Sequence, residues 1–180
     1  MEIYLVRHTA PDIAPGICYG QADVPLTGSF QADAANVLAQ LPRDIDVIFT
    51  SPLSRCTSLA TQMRSHSNIP IVVDKRLIEI NFGEWELMPW NSIDRPSLKR
   101  WMDDYVNNAA PEGESYRALF ERCVSFMDDL KKSAYRSVVI TTHHGVLKSI
   151  HAHLHDMSLY EAMALQFPYG SVTHKTLASQ

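Results

Sequence analysis

The chain has 180 residues, 46% of them hydrophobic, which excludes intrinsic disorder and suggests a single domain over residues 1–180 with a sizeable core. Its formal net charge is −4 and no block of like charges appears, so it lacks the basic patch of a nucleic-acid binder, although a few local arginines can still make a positive pocket in an acidic protein. No basic leader or long apolar segment precedes the first strand, so a cytoplasmic protein without membrane contact is expected, and the scattered Cys18, Cys56 and Cys123 read as reduced thiols rather than a zinc set or a disulfide.

The first predicted strand is Ile3–Val6, an apolar run that stops abruptly at Arg7 and His8. Pro11, Pro15, Gly16 and Gly20 then mark a loop. Phe30, Ala34, Val37, Leu38 and Leu41 share one stripe and predict a helix over 30–41. Val47–Thr50 reads as a second strand. Ser51-Pro52 reads as an N-cap followed by proline at the first helical position, opening a helix through about Met63. Ile71–Val73 is a third short strand. Residues 79–113 are the least regular part, with a helix over Ser97–Val106. Ser115 is placed to cap a long amphipathic helix over Tyr116–Lys132. A strand over Ser137–Thr141, a helix over Gly145–Leu154 and an edge strand over Ser171–Leu177 complete the chain. Strands alternate with helices almost throughout, which predicts an α/β fold: a three-layer α/β/α sandwich with a mainly parallel central sheet.

Five residues carry the chemical argument: Arg7, His8, Arg55, Glu79 and His143. In an open parallel sheet, ligands bind just past the carboxyl ends of the strands. Arg7-His8 follows the first strand, Ser51-Pro52-Leu53-Ser54-Arg55 the second, and Thr142-His143 a late one. Arg55 would sit in the first turn of a helix, where the positive end of the dipole repels a cation unless an anion neutralises both. Two imidazoles and two guanidiniums at one sheet edge suit an anionic phosphate. Glu79 heads an aromatic, glycine-punctuated loop and would carry no weight alone.

Taken together, Leu5-Val6-Arg7-His8-Thr9, Ser51-Pro52-Leu53-Ser54-Arg55-Cys56, Glu79-Ile80-Asn81-Phe82-Gly83-Glu84-Trp85-Glu86 and Thr142-His143-His144-Gly145-Val146 resemble, in order, the motifs of the histidine phosphatase superfamily, also called phosphoglycerate mutase-like. Gly16-x-Cys18-Tyr19-Gly20, Asp23-Val24-Pro25-Leu26 and Gly113-Glu114-Ser115 are similar to those of its α-ribazole-phosphate phosphatases, which act in assembly of the cobalamin nucleotide loop. The sequence departs from the common pattern at Thr9, where many members carry glycine, at Ala14, where many carry a phosphate-touching asparagine, and in a shortened helix start over 26–32.

The resemblance implies the phosphoglycerate mutase-like fold and a phosphomonoesterase acting on a small phosphorylated metabolite, with α-ribazole 5'-phosphate the best match. It implies His8 as nucleophile, Glu79 as proton donor, and Arg7, Arg55, His143 and His144 around the phosphoryl group. Arg7 and Arg55 would fork onto its oxygens, and backbone N–H groups near His144 and Gly145 would complete the cradle. No metal or other cofactor is expected, because two guanidiniums and an imidazolium would balance a dianion. His151 and His155 have the i, i+4 spacing of a metal pair but lack a third ligand. Residues 79–113 would partly cover the site. Glu84 and Glu86 are expected to structure the loop or its rim, Trp85 and Trp90 to pack, and Tyr19 is a candidate for the leaving-group pocket. A mutase, a broad-specificity sugar-phosphate phosphatase and a protein phosphohistidine phosphatase are the alternatives, and a homodimer is a possible assembly.

Overall fold

Alternation along the strands decides which layer each side chain joins. β1 (Glu2–Arg7), β2 (Val47–Thr50), β3 (Ile71–Val73), β4 (Ser137–Thr142) and β5 (Val172–Thr176) form one sheet in the order β3-β2-β4-β1-β5. β1 to β4 run parallel and β5 lies antiparallel against β1, at the edge. The helices are α1 (Phe30–Leu38), α2 (Ser54–Arg64), α3 (Arg95–Asp103), α4 (Tyr116–Lys131), α5 (His144–Leu154) and α6 (Leu159–Ala162). The structure is a computed structural model that describes residues 1–65 and 68–177.

Ile3, Leu5, Val47, Val138 and Ile140 point to one face of the sheet and pack with α4 and α5 through Leu119, Phe126, Leu147 and Ile150. Val6, Ile48 and Val139 point to the other face and meet Ala34 and Val37 of α1 and Leu59 and Met63 of α2. Two cores on two faces make the α/β/α sandwich that the alternation predicts. Each buried Leu, Ile or Val here contributes about 1.5–3 kcal/mol of transfer free energy. A third, smaller cluster of Cys18, Trp85, Ile93 and Ala110 holds the 79–113 segment together.

Several element ends differ from the sequence reading. α1 stops at Leu38 rather than Leu41. α2 begins at Ser54, not beside Ser51, because Leu53 in extended conformation is its N-cap and Ser51 is used elsewhere. α3 starts earlier than expected, at Arg95, where the Asp94 carboxylate accepts from the Ser97 N–H and Pro96 sits in the first turn. It ends at Asp103, short of Val106. α6 was not anticipated, although Ser158 and Glu161 form a capping box that the sequence displays. Ser115 caps α4 as expected, accepting from the Ala118 N–H.

The register places the site. Arg7 is level with Thr142, and Thr50 with Thr141. The ladder continues one step further, with the His8 N–H on the Thr142 carbonyl at 3.0 Å and the Ser51 N–H on the Thr141 carbonyl at 3.0 Å. Three adjacent strands therefore release His8, Ser51 and His143 at one height. No helix among the described residues is long and apolar enough to cross a membrane.

Candidate active site

His8 is almost fully buried at the end of β1. Its Nδ1–H donates to the Thr9 carbonyl at 2.7 Å, and a carbonyl can only accept. The ring is therefore the Nδ1–H tautomer, and Nε2 keeps its lone pair. Burial, then the positive Arg55 and Arg7 nearby, lower its pKa to about 3. His8 is a neutral imidazole with an available nucleophilic nitrogen.

Arg55 is wholly buried on the first turn of α2. Its Nη2 donates to the Gly20 carbonyl at 2.5 Å, Nη1 to the Ala22 carbonyl at 2.9 Å, and Nε to His143 Nδ1 at 3.3 Å. A guanidinium has five N–H donors, so these contacts leave one on each Nη. His143, also wholly buried, accepts from Arg55 at Nδ1, so its proton is on Nε2, which donates to Ser51 Oγ at 2.7 Å. Burial, with His8 and Arg55 close by, holds His143 well below the usual histidine range. It is neutral, which corrects the expected imidazolium. It also lies behind the cleft rather than in its wall, with its ring 5.1 Å from that of His8. Ser51, anticipated as a helix cap, instead fixes this ring.

Arg7 reaches the site from the other side. Its Nη1 donates to the Phe167 carbonyl at 2.6 Å, and its guanidinium carbon lies 3.8 Å from the centroid of the Tyr169 ring. Its Nε is buried with no partner. Tyr169 also contacts the His8 ring, and its hydroxyl bonds that of Tyr19 at 2.7 Å. The two arginines share one property: among the described residues, neither is ion-paired with a carboxylate. A cation as fully buried as Arg55 is costly without an anion and calls for an anionic ligand, which the partly buried Arg7 can share.

Glu79 occupies the N-terminus of α5. Its Oε2 accepts from the Gly145 N–H at 3.0 Å and its Oε1 from the Ile80 N–H at 2.9 Å. The helix N-terminus is thus filled by the protein's own carboxylate, which removes Gly145 N–H from the expected phosphate cradle. A Cβ at 145 would lie 2.5 Å from Glu79 Oε1 and displace that carboxylate, so glycine there leaves Glu79 its seat. Glu86 structures the loop as expected: its carboxylate accepts from the N–H groups of Gly20, Gln21, Ala22 and Phe82. The Glu86 carboxylate thereby fixes the loop whose carbonyls grip Arg55.

A cleft of about 260 Å³ brings together Arg7, His8, Arg55, Glu79 and His144. Phe82, Trp90, Trp101, Tyr105 and Tyr116 form an aromatic wall, largely from the 79–113 segment, and Tyr19 contributes as anticipated. Trp85 packs as expected, 4% exposed, whereas Trp90, also expected to pack, lines the cleft. His144 accepts from the Phe167 N–H at 3.4 Å, and burial with Lys148 beside it lowers its pKa to about 4. Lys148 itself lines the cleft and was missed by sequence reasoning. The available signal was its place one turn after His144 on the same helix. His151 and His155 lie against each other, tilted by 39° with 4.3 Å between centroids, outside the cleft. No group of three metal-ligating side chains forms among the described residues. The three cysteines are buried, free thiols whose pKa values burial raises.

Comparison with known proteins is consistent across sequence and structure. A model of the histidine phosphatase superfamily (branch 1) matches residues 3–180. The chain is 30% identical over 182 residues to the adenosylcobalamin/alpha-ribazole phosphatase of Salmonella typhimurium, covering 97% of this chain and 84% of that one. It is 32% identical over 154 residues to the "Probable phosphoglycerate mutase GpmB" of Yersinia pestis, covering 81% and 70%. The structure of the alpha-ribazole phosphatase from Shigella flexneri superposes with a TM-score of 0.90 at 25% identity, covering 97% of this chain and 89% of that one.

Proposed function

The chain belongs to the histidine phosphatase superfamily, branch 1, and is a phosphatase; from that premise we propose that it hydrolyses a small phosphate monoester through a phosphohistidine on His8. One observation carries the reading. A neutral imidazole with a free Nε2 lone pair lies between the wholly buried Arg55 and the partly buried Arg7, neither of which has a carboxylate partner among the described residues. Nε2 attacks phosphorus as the bond to the leaving oxygen breaks, and Glu79 supplies the proton that oxygen needs. Water then attacks phosphorus, Glu79 takes its proton, the P–N bond breaks and inorganic phosphate leaves. The protein's contribution is position and charge on the equatorial oxygens. Arg7 has more free donors for this than Arg55, including the unpartnered Nε. His143 acts through Arg55 and Ser51 rather than on the substrate.

For the leaving group we favour the ribosyl benzimidazole of α-ribazole 5'-phosphate. The aromatic wall suits an aromatic group, and relatives named for that activity support the choice. In this reading the 79–113 segment, part of one domain over 1–180, partly covers the bound substrate. The test is a panel of phosphorylated metabolites with the pure protein. α-Ribazole 5'-phosphate is expected to give the highest kcat/KM. Preference for a phosphorylated sugar or three-carbon acid would overturn the choice of leaving group.

The role of Glu79 has its own test. Glu79→Gln is expected to spare aryl phosphates more than alkyl phosphates, because a nitrophenolate departs without a proton and an alkoxide does not. The measurement is the mutant-to-wild-type ratio of kcat/KM for each class. Equal losses in both would assign Glu79 a different task.

A further inference from the structure

The two arginines match the two charges of a phosphate dianion, yet the cleft holds a third cation. Lys148 is 6% exposed on α5. Its Nζ donates to the Met163 carbonyl at 2.7 Å, and both residues line the cleft. Among the described residues no carboxylate is ion-paired with it. An ammonium has three donors, and one is accounted for. Burial holds Lys148 below the ordinary lysine range, so its charge is being kept out of water at a cost. In the aromatic wall, Trp101 has its indole Nε1 buried without a partner. The cleft therefore contains two donor groups beyond the arginines, Lys148 with two N–H bonds and Trp101 with one, for which no partner is seen among the described residues.

Resting on the phosphatase reading above, we infer that Lys148 determines specificity by donating a hydrogen bond to an oxygen acceptor on the leaving alcohol. The acceptor has two chemical sources, a sugar hydroxyl or a carboxylate, and both present an oxygen close to the esterified carbon. A leaving group with an apolar face for the aromatic wall and an oxygen for Lys148 would be held at both sides. A simple aryl alcohol would be held at one.

The experiment measures kcat and KM of wild type, Lys148→Met and Lys148→Arg on phenyl phosphate, α-ribazole 5'-phosphate and 3-phosphoglycerate. Lys148→Met is expected to raise KM for an acceptor-bearing substrate at least about tenfold more than for phenyl phosphate, as loss of a charge-assisted hydrogen bond does. Lys148→Arg is expected to restore part of that selectivity. A larger loss on α-ribazole 5'-phosphate identifies the hydroxyl, and a larger loss on 3-phosphoglycerate the carboxylate. Equal losses on all three substrates, or none, overturn the inference. Thermal melting checks that the variants fold, and should Lys148→Met fail to do so the same ratios are read from Lys148→Gln. Phosphohistidine trapped on the wild-type protein reports on the covalent reading separately, since it forms or fails to form whatever Lys148 does.

Discussion

His8→Ala is expected to abolish turnover, with a fall of at least about a thousandfold, as removal of a nucleophile does elsewhere. No neighbour can take over. His143 has both ring nitrogens engaged, by Arg55 and Ser51, and does not line the cleft. His144 does line it, but its Nε2 accepts from the Phe167 N–H. The measurement pairs steady-state rates with a denaturing alkaline quench of the wild type during turnover, which should carry an acid-labile phosphoryl group on His8. Substantial turnover by His8→Ala would sink the covalent mechanism. The pH profile adds a check with a definite sign. A histidine whose pKa is lowered to about 3 is neutral above that value. Any acid limb nearer neutrality must then come from another group or from the substrate.

Arg55→Lys is expected to lower kcat/KM at least about tenfold, or about 1.4 kcal/mol of transition-state stabilisation, although the charge is kept. The planar fork is what matters. It holds the Gly20 and Ala22 carbonyls and His143 Nδ1 at once, and still has a donor on each Nη. A lysine has three donors at one point and cannot span these acceptors. The 20–22 loop, His143 and the phosphate would all lose a contact. Kinetics close to wild type would show that the fork is not used. Thermal melting separates a destabilised fold from an impaired site, because a merely structural Arg55 would shift the melting temperature and leave kcat/KM of the folded protein near normal.

The layers and most elements were legible because they rest on short-range patterns. The apolar runs Ile3–Val6 and Val138–Thr141 announce buried strands, and Ser115 announces α4 by capping it. Arg7, His8, Arg55, Glu79 and His144 were found as candidates and do line one cleft. The Ser158–Glu161 capping box was present in the sequence and overlooked. The start of α2 was misplaced for a different reason. Ser51-Pro52 satisfies the local rule for a helix start, but Ser51 Oγ accepts the hydrogen bond that His143 Nε2–H donates, 92 residues away.

What the sequence by itself determined is therefore the α/β alternation, the position of Arg-His, Ser-Pro-x-x-Arg and Thr-His motifs past three strands, and the family those motifs resemble. These depend on periodicity and residue type over a few positions. What only the tertiary structure decided is which partner each polar group takes. It put His143 behind the cleft as a neutral ring, turned part of the Arg55 fork onto the 20–22 loop, filled the N-terminus of α5 with Glu79, and brought Lys148 into the cleft. Buried polar groups must find partners, and the backbone brings into reach partners separated by tens of residues in the chain. No local pattern records those choices.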